Sequence, residues 1–205
     1  MTLFRITALS TVAAAAIVIG FSAANPGLAQ MKNDSMSGKD AMTSDKPVTV
    51  GGAPMYSNKN IIQNAVNSKD HTTLVAAVKA AGLVDTLQGS GPFTVFAPTD
   101  KAFEKLPKGT VETLLKPENK DQLTKILTCH VVAANAMSSA ISKMIKDDGG
   151  SHPVKTVGGC TYTAKMKGDK IILVDGKGQE ATVTIANVKQ SNGVIHVIDT
   201  VLLPG

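Results

Sequence analysis

Four histidines and two cysteines are the side chains of this 205-residue chain best suited to catalysis or metal binding: His71, His130, His152, His196, Cys129 and Cys160. Cys129 and His130 are adjacent, an order that would suit a thiolate nucleophile and an imidazole base if the two could hydrogen-bond. Residues 129–132 (CHVV) read as a short strand. Neighbours on a strand point to opposite faces, so this pair does not make a dyad. A serine triad needs Ser, His and an acid in contact, and the chain has no Gly-x-Ser-x-Gly elbow. His130 and His196 together could hold a metal, but no third ligand stands beside them at zinc spacing. Each lies among valines and isoleucines, the setting of a buried, hydrogen-bonded histidine. Residues 89–92 (GSGP) are glycine-rich but precede a strand and lack the Lys-Ser/Thr of a phosphate loop. Residues 175–180 (DGKGQE) have too few acids for a calcium loop and read as a hairpin turn.

These residues need elements to position them. Residues 60–68 predict a short helix. Residues 71–82 predict a longer one with Leu74, Val75, Val78 and Ala81 on one face, Thr72 or Thr73 as its cap and Gly82 as its stop. Phe93 to Ala97 alternate and favour a strand, which Pro98 ends. Thr99 or Asp100 then caps a helix over 101–106, so a strand end and a helix cap share adjacent residues. Two helices follow, with Val111, Leu114 and Leu115 on one and Leu123, Ile126 and Leu127 on the next. Residues 137–150 predict an amphipathic helix that stops at a glycine pair. Thereafter five β-rich runs alternate with Gly- and Asp-containing turns. Helices first and hairpins later imply one α+β domain, not a doubly wound sheet.

Composition narrows the function. Hydrophobic residues make up 43% of the chain and aromatics only 3%, so the core is aliphatic. The net charge of +5 is spread along the chain, without the basic stripe and stacking aromatics of a nucleic-acid surface. Residues 1–29 read as a secretory signal peptide: Arg5, an apolar run over 6–24, a break at Pro26 and cleavage after Ala29. The competing reading is a retained anchor, since the run is long enough to span a bilayer. With cleavage, the mature protein has no membrane span and is exported, to periplasm or medium. In an oxidising compartment Cys129 and Cys160 pair; the alternative is two inert buried thiols. Residues 30–57 are polar, without apolar period, and read as a flexible tail. Its Met31, Met36, Met42 and Met55 are widely spaced and lack a histidine, so a tether is favoured over cuprous-ion binding. Residues 33–35 (NDS) match a glycosylation acceptor.

Three ordered runs then stand out: residues 91–103 (GPFTVFAPTDKAF), 129–132 (CHVV) and 191–204 (SNGVIHVIDTVLLP). In this order and approximate separation they resemble the fasciclin-like domain family, nearest its small exported single-domain bacterial members. The resemblance covers about residues 60–204, and the domain is expected at 58–205. It implies a β-wedge or sheet flanked by N-terminal helices, no enzymatic activity, no cofactor, and a role in adhesion or extracellular interaction. The residues that carry it are Thr94, Phe96, Pro98, Thr99, Asp100, Phe103, His130, Asn192, Gly193, His196 and Asp199. The family's middle run usually reads Tyr-His; here Cys129 replaces the tyrosine, so receptor binding linked to that region in animal members is not carried over. The resemblance also implies that Cys129 on one strand reaches Cys160 on another. Expected partners are a cell-surface or matrix protein or glycan, or a second copy in a homodimer. The alternative is a carrier of a small apolar ligand, pigment or lipid, or of a glycan, and only a groove between helices could serve.

Overall fold

A computed structural model describes residues 46–205. The signal peptide expected over 1–29, and the expected tail as far as residue 45, lie outside the described residues. No described helix is long and apolar enough to cross a membrane.

The described chain opens on a hairpin of strands β1 (Val48–Val50) and β2 (Ala53–Met55). This corrects the expectation of a tail through residue 57. Val50 and Met55 are each only 4% exposed and join the main core, so this stretch gains apolar burial that its polar composition hides. Gly51 and Gly52 both have positive φ, as a two-residue turn matched to strand twist requires. Met55 is thereby a core residue and not a tail ligand for copper.

Helices α1 (Ile61–Ala65), α2 (Thr72–Ala81) and α3 (Val84–Gln88) follow, then strand β3 (Phe93–Pro98). Next come α4 (Asp100–Glu104), α5 (Thr110–Leu114), a 3-10 turn at Pro117–Asn119, and α6 (Lys120–Cys129). Strand β4 is only Val131–Val132, and α7 spans Ser138–Asp147. The chain closes with β5 (Ser151–Lys155), β6 (Thr161–Lys167), β7 (Lys170–Val174), β8 (Glu180–Gln190) and β9 (Gly193–Ile198).

Seven strands form one sheet in the order β4-β3-β9-β8-β7-β6-β5. Only β3 and β9 run parallel, in register from Phe93–Gly193 to Pro98–Ile198; the other neighbours are antiparallel. The architecture is the expected α+β domain. Alternation sorts the central strands between two cores. Val95, Ala97, Ile195 and Val197 face the cluster built with α1, α2 and α6. Phe96 and Ile198 face a second cluster with Ile141 and Ile145 of α7 and with Tyr162, Leu173 and Val183. Because both faces of β9 are covered, Val194 to Ile198 are buried without a break.

Two local expectations are corrected. Cys129 is the last residue of α6 and His130 its C-cap, so residues 129–132 are a helix end followed by two strand residues. Pro98 belongs to β3 and pairs with Ile198 instead of ending the strand before it. Proline is tolerated there because it is the strand's last residue.

Candidate functional site

The parallel pair β3/β9 gathers part of the expected set. Phe96 and His196 are register partners, and their rings stack with centroids 5.7 Å apart. Thr94, fully buried, donates its hydroxyl to the Ala134 carbonyl at 2.5 Å and accepts from the Ala136 amide at 2.8 Å. His196 donates from Nε2 to the Ala136 carbonyl at 2.8 Å and accepts at Nδ1 from the Asn187 amide at 3.3 Å. Thr94, Phe96 and His196 thus converge on the loop between β4 and α7. Burial holds His196 below the ordinary histidine range, against a smaller upward pull from the Ala136 carbonyl.

His130 lies elsewhere. Its Nδ1 donates to the Ile126 carbonyl at 2.8 Å, and its Nε2 accepts from the Leu202 amide at 3.0 Å. It is fully enclosed, and burial pushes it down to about 4. His130 and His196 therefore each bond two backbone groups in the neutral form, with neither lone pair free for a metal. Cys129 is joined to Cys160, with the two Cα atoms 5.4 Å apart, so its sulfur is no nucleophile. The partners are a helix end and the turn before β6, not two strands.

The remaining residues close the two ends of β3 and β9. At the entry, Asn192 accepts from the Ile61 amide at 3.0 Å and donates to the carbonyls of Leu87 and Gly89, each at 2.8 Å. One buried side chain thereby ties the start of α1 to the end of α3. A Cβ on Gly193 would lie 1.9 Å from the Phe93 carbonyl oxygen, so the parallel strands meet there only over a glycine. At the exit, Thr99 caps α4 by accepting from the Ala102 amide at 3.3 Å. Asp100 does not cap α4; its carboxylate serves Thr72 and Thr73 of α2. His71, not a threonine, stands at the α2 cap position and makes no capping bond there. Phe103 packs into the first core. Asp199 accepts from the Thr182 amide at 2.8 Å and lies 3.8 Å from the Lys105 ammonium.

Asn187 escapes sequence reasoning. It has φ 60°, accepts from the Ser138 amide at 2.7 Å and donates to the Ser138 hydroxyl at 2.7 Å, fixing the start of α7 while its own amide meets His196. The signal was the break in alternation inside β8, where the register shifts between Ile185 and Val188. His152 pairs its Nδ1 with Asp148 at 2.6 Å, and His71 meets the Ser68 hydroxyl at 2.9 Å. Asp175 holds the 175–178 turn by accepting from the amides of Lys177 and Gln179, as a hairpin turn implies.

The family model of the fasciclin domain matches residues 69–204. The protein sll1483 of Synechocystis is 43% identical over 190 residues, 93% of this chain and 97% of that one. The cell surface glycolipoprotein MPB83 of Mycobacterium bovis is 33% identical over 163 residues, 77% of this chain and 66% of its own. Among solved structures, a FAS1 domain pair from the insect cell adhesion molecule fasciclin I aligns with a TM-score of 0.64 at 19% identity, covering 71% of this chain and 51% of that one. The chain belongs to the fasciclin domain family.

Proposed function

We propose that this chain is an exported, non-enzymatic interaction module that mediates cell-surface or extracellular-matrix contacts. The observation that carries the reading is the use of its chemical side chains. His130 and His196 each engage two backbone groups, and Cys129 is in a disulfide. Groups committed in this way hold a scaffold and do not turn over a substrate. A relative named as a cell surface glycolipoprotein and a structural neighbour from a cell adhesion molecule support the same direction. The partner in this reading is a surface or matrix protein or glycan. A single domain bridges two surfaces only by dimerising or by binding a second surface component.

The carrier reading loses support where it was expected. The groove between helices, lined by Ile61, Leu74, Val78 and Leu127, encloses a void of about 30 Å³. That is room for no more than about two or three water molecules, far below the hundreds of Å³ that a pigment or lipid needs.

The test is deletion of the gene in the source cell, followed by measurement of cell aggregation and attachment. Loss of attachment that the purified full chain restores is the expected result. Unchanged aggregation and attachment would overturn the reading.

A further inference from the structure

Strands β5, β6, β7 and the start of β8 have two unlike faces. Tyr162, Ala164, Ile171, Leu173, Ala181 and Val183 point inward and pack with Ile141 and Ile145 of α7. Their neighbours along each strand point the other way. Paired residues share a face, so the register sets Lys155 beside Thr161, Lys165 between Ser151 and Ile172, and Lys167 beside Lys170 on the outer side. Lys155, Thr161, Lys165, Lys167 and Lys170 are all exposed, so no described element covers this face.

Its charge is one-sided. Those four lysines share the strands' outer face with one carboxylate, Glu180 of β8, which pairs with Lys167 at 2.8 Å. Lys155, Lys165 and Lys170 make no ion pair among the described residues. In the flanking turns Asp169 stands beside Lys170, while Asp175 is buried and accepts backbone amides. Lys170 also faces the like charge of Lys167, an unfavourable pairing that an added anion would relieve. The unpaired lysines are spread out. Lys155 lies at the level of Thr161 and Lys170 at the level of Lys167, six residues on, a span of about 20 Å at the rise of a strand. Lys165 falls between them. A row of that length suits an extended polyanion better than a small anion.

The other side chains narrow the polyanion's class. Stacking on bases needs aromatics, and insertion into a membrane needs exposed apolar groups. None of the exposed large apolar residues lies in β5 to β8. A protein partner would miss an aromatic or aliphatic anchor for the same reason. Thr161 and Thr163 instead place hydroxyls among the lysines, as a chain of acidic groups and hydroxyls would use.

We propose that the outer face of β5, β6 and β7 binds a linear acidic polysaccharide, its carboxylate or sulfate groups pairing with Lys155, Lys165 and Lys170. The inference rests on the adhesion reading and names the chemistry of its glycan partner.

The test is calorimetric titration of the full chain with alginate and heparin fragments of equal length, and with neutral dextran, in about 0.15 M salt. Saturable binding of at least one acidic fragment and none of dextran is expected; alginate reports carboxylates and heparin reports sulfates. The triple variant Lys155→Gln, Lys165→Gln, Lys170→Gln should weaken binding about tenfold, as the loss of three exposed ion pairs implies. The triple variant Lys101→Gln, Lys108→Gln, Lys116→Gln removes the same charge from exposed positions on and around α4 and α5 and should bind as wild type. Both alter only exposed side chains, so their melting curves should match wild type. Absence of saturable binding to either acidic fragment would overturn the site, as would equal binding of dextran or equal losses in the two triple variants. Tighter binding to phosphatidylglycerol vesicles than to either fragment would overturn the polysaccharide assignment. In the attachment assay, full rescue of the deletion by the β5–β7 variant would overturn this face and leave the adhesion reading standing. A deletion without an attachment defect would overturn the adhesion reading, while the calorimetry still decides the face.

Discussion

Asp100 accepts the hydroxyl of Thr72 at 2.7 Å across 28 residues of sequence. The same carboxylate accepts the Thr73 amide at 2.8 Å and the Thr72 amide at 3.2 Å. It thus satisfies two free amides at the start of α2, a helix it does not belong to, and places negative charge at that helix's positive end. The backbone amide of Asp100 reinforces the link by donating to the Asp70 carbonyl at 2.7 Å.

Asp100→Ala should therefore destabilise the domain by about 1–2 kcal/mol, the usual range for a lost cap. The melting temperature should fall by several degrees. Thr99→Ala removes the separate cap of α4 and should cost about 1 kcal/mol. Partial burial pushes Asp100 upward, but hydrogen bonds from Thr72 and Thr73 together outweigh it and hold the group below its ordinary 3.8. A lowered carboxylate contributes stability above the unfolded value and loses it as pH falls through the folded one. Stability curves of Asp100→Asn should thus be flatter than wild type below about pH 4. Parallel curves would defeat the assignment.

A second pH effect comes from His130. Folded, the ring titrates at about 4; unfolded, near its ordinary 6.5. Between these values the unfolded chain binds a proton that the folded chain excludes. Stability should fall as pH drops from about 6.5 to about 4, by on the order of 3 kcal/mol, and then level off for this group. His71 and His196, also lowered by burial, add to the slope. Urea midpoints across this range should drop more steeply for wild type than for His130→Gln. An identical slope in the variant would exclude His130 as the cause.

The disulfide joins residues 31 apart. Constraining the unfolded chain over a loop of that length stabilises by about 3–4 kcal/mol in the entropy model. Replacing both Cys129 and Cys160 with Ala should lower the guanidinium midpoint accordingly. Intact-mass measurement before and after reduction under denaturing conditions should show a gain of about 2 Da in wild type, which the bond's two lost hydrogens require. No mass change would mean the bond is absent.

Tyr162 gives a prediction of opposite sign. Its ring is buried at 1% exposure, and its hydroxyl has no hydrogen-bond partner. Burial, and then the Asp175 charge, raise its pKa. An unsatisfied buried hydroxyl costs about 1–3 kcal/mol. Tyr162→Phe keeps the ring and removes that cost, so its melting temperature should match or exceed wild type. A clear decrease would show that the hydroxyl is bonded in solution.

Much of the fold was legible because periodicity reports which side of an element is apolar. Gly82 ends α2 with φ 73°, Leu74, Val78 and Ala81 are buried, and residues 93–97 are strand, all as local pattern required. The buried, hydrogen-bonded state of His130 and His196 also followed from their apolar neighbours; that each makes two such bonds did not. The β1–β2 hairpin was hidden because Lys, Ser and Gly dominate its surroundings, although two glycines between short β-rich runs were a usable turn signal.

By itself, then, the sequence determined the α+β class, the main helices and strands, and the scaffold character of the histidines, because these depend on local apolar pattern and backbone preference. Only the tertiary structure decided that Asp100 caps α2, that Cys129 ends a helix, and that Asn192 ties α1 to α3. The reason is physical. A cap can be supplied by any carboxylate that folding brings within hydrogen-bond reach, and a buried amide such as Asn192 can tie together any two chain ends that folding brings beside it.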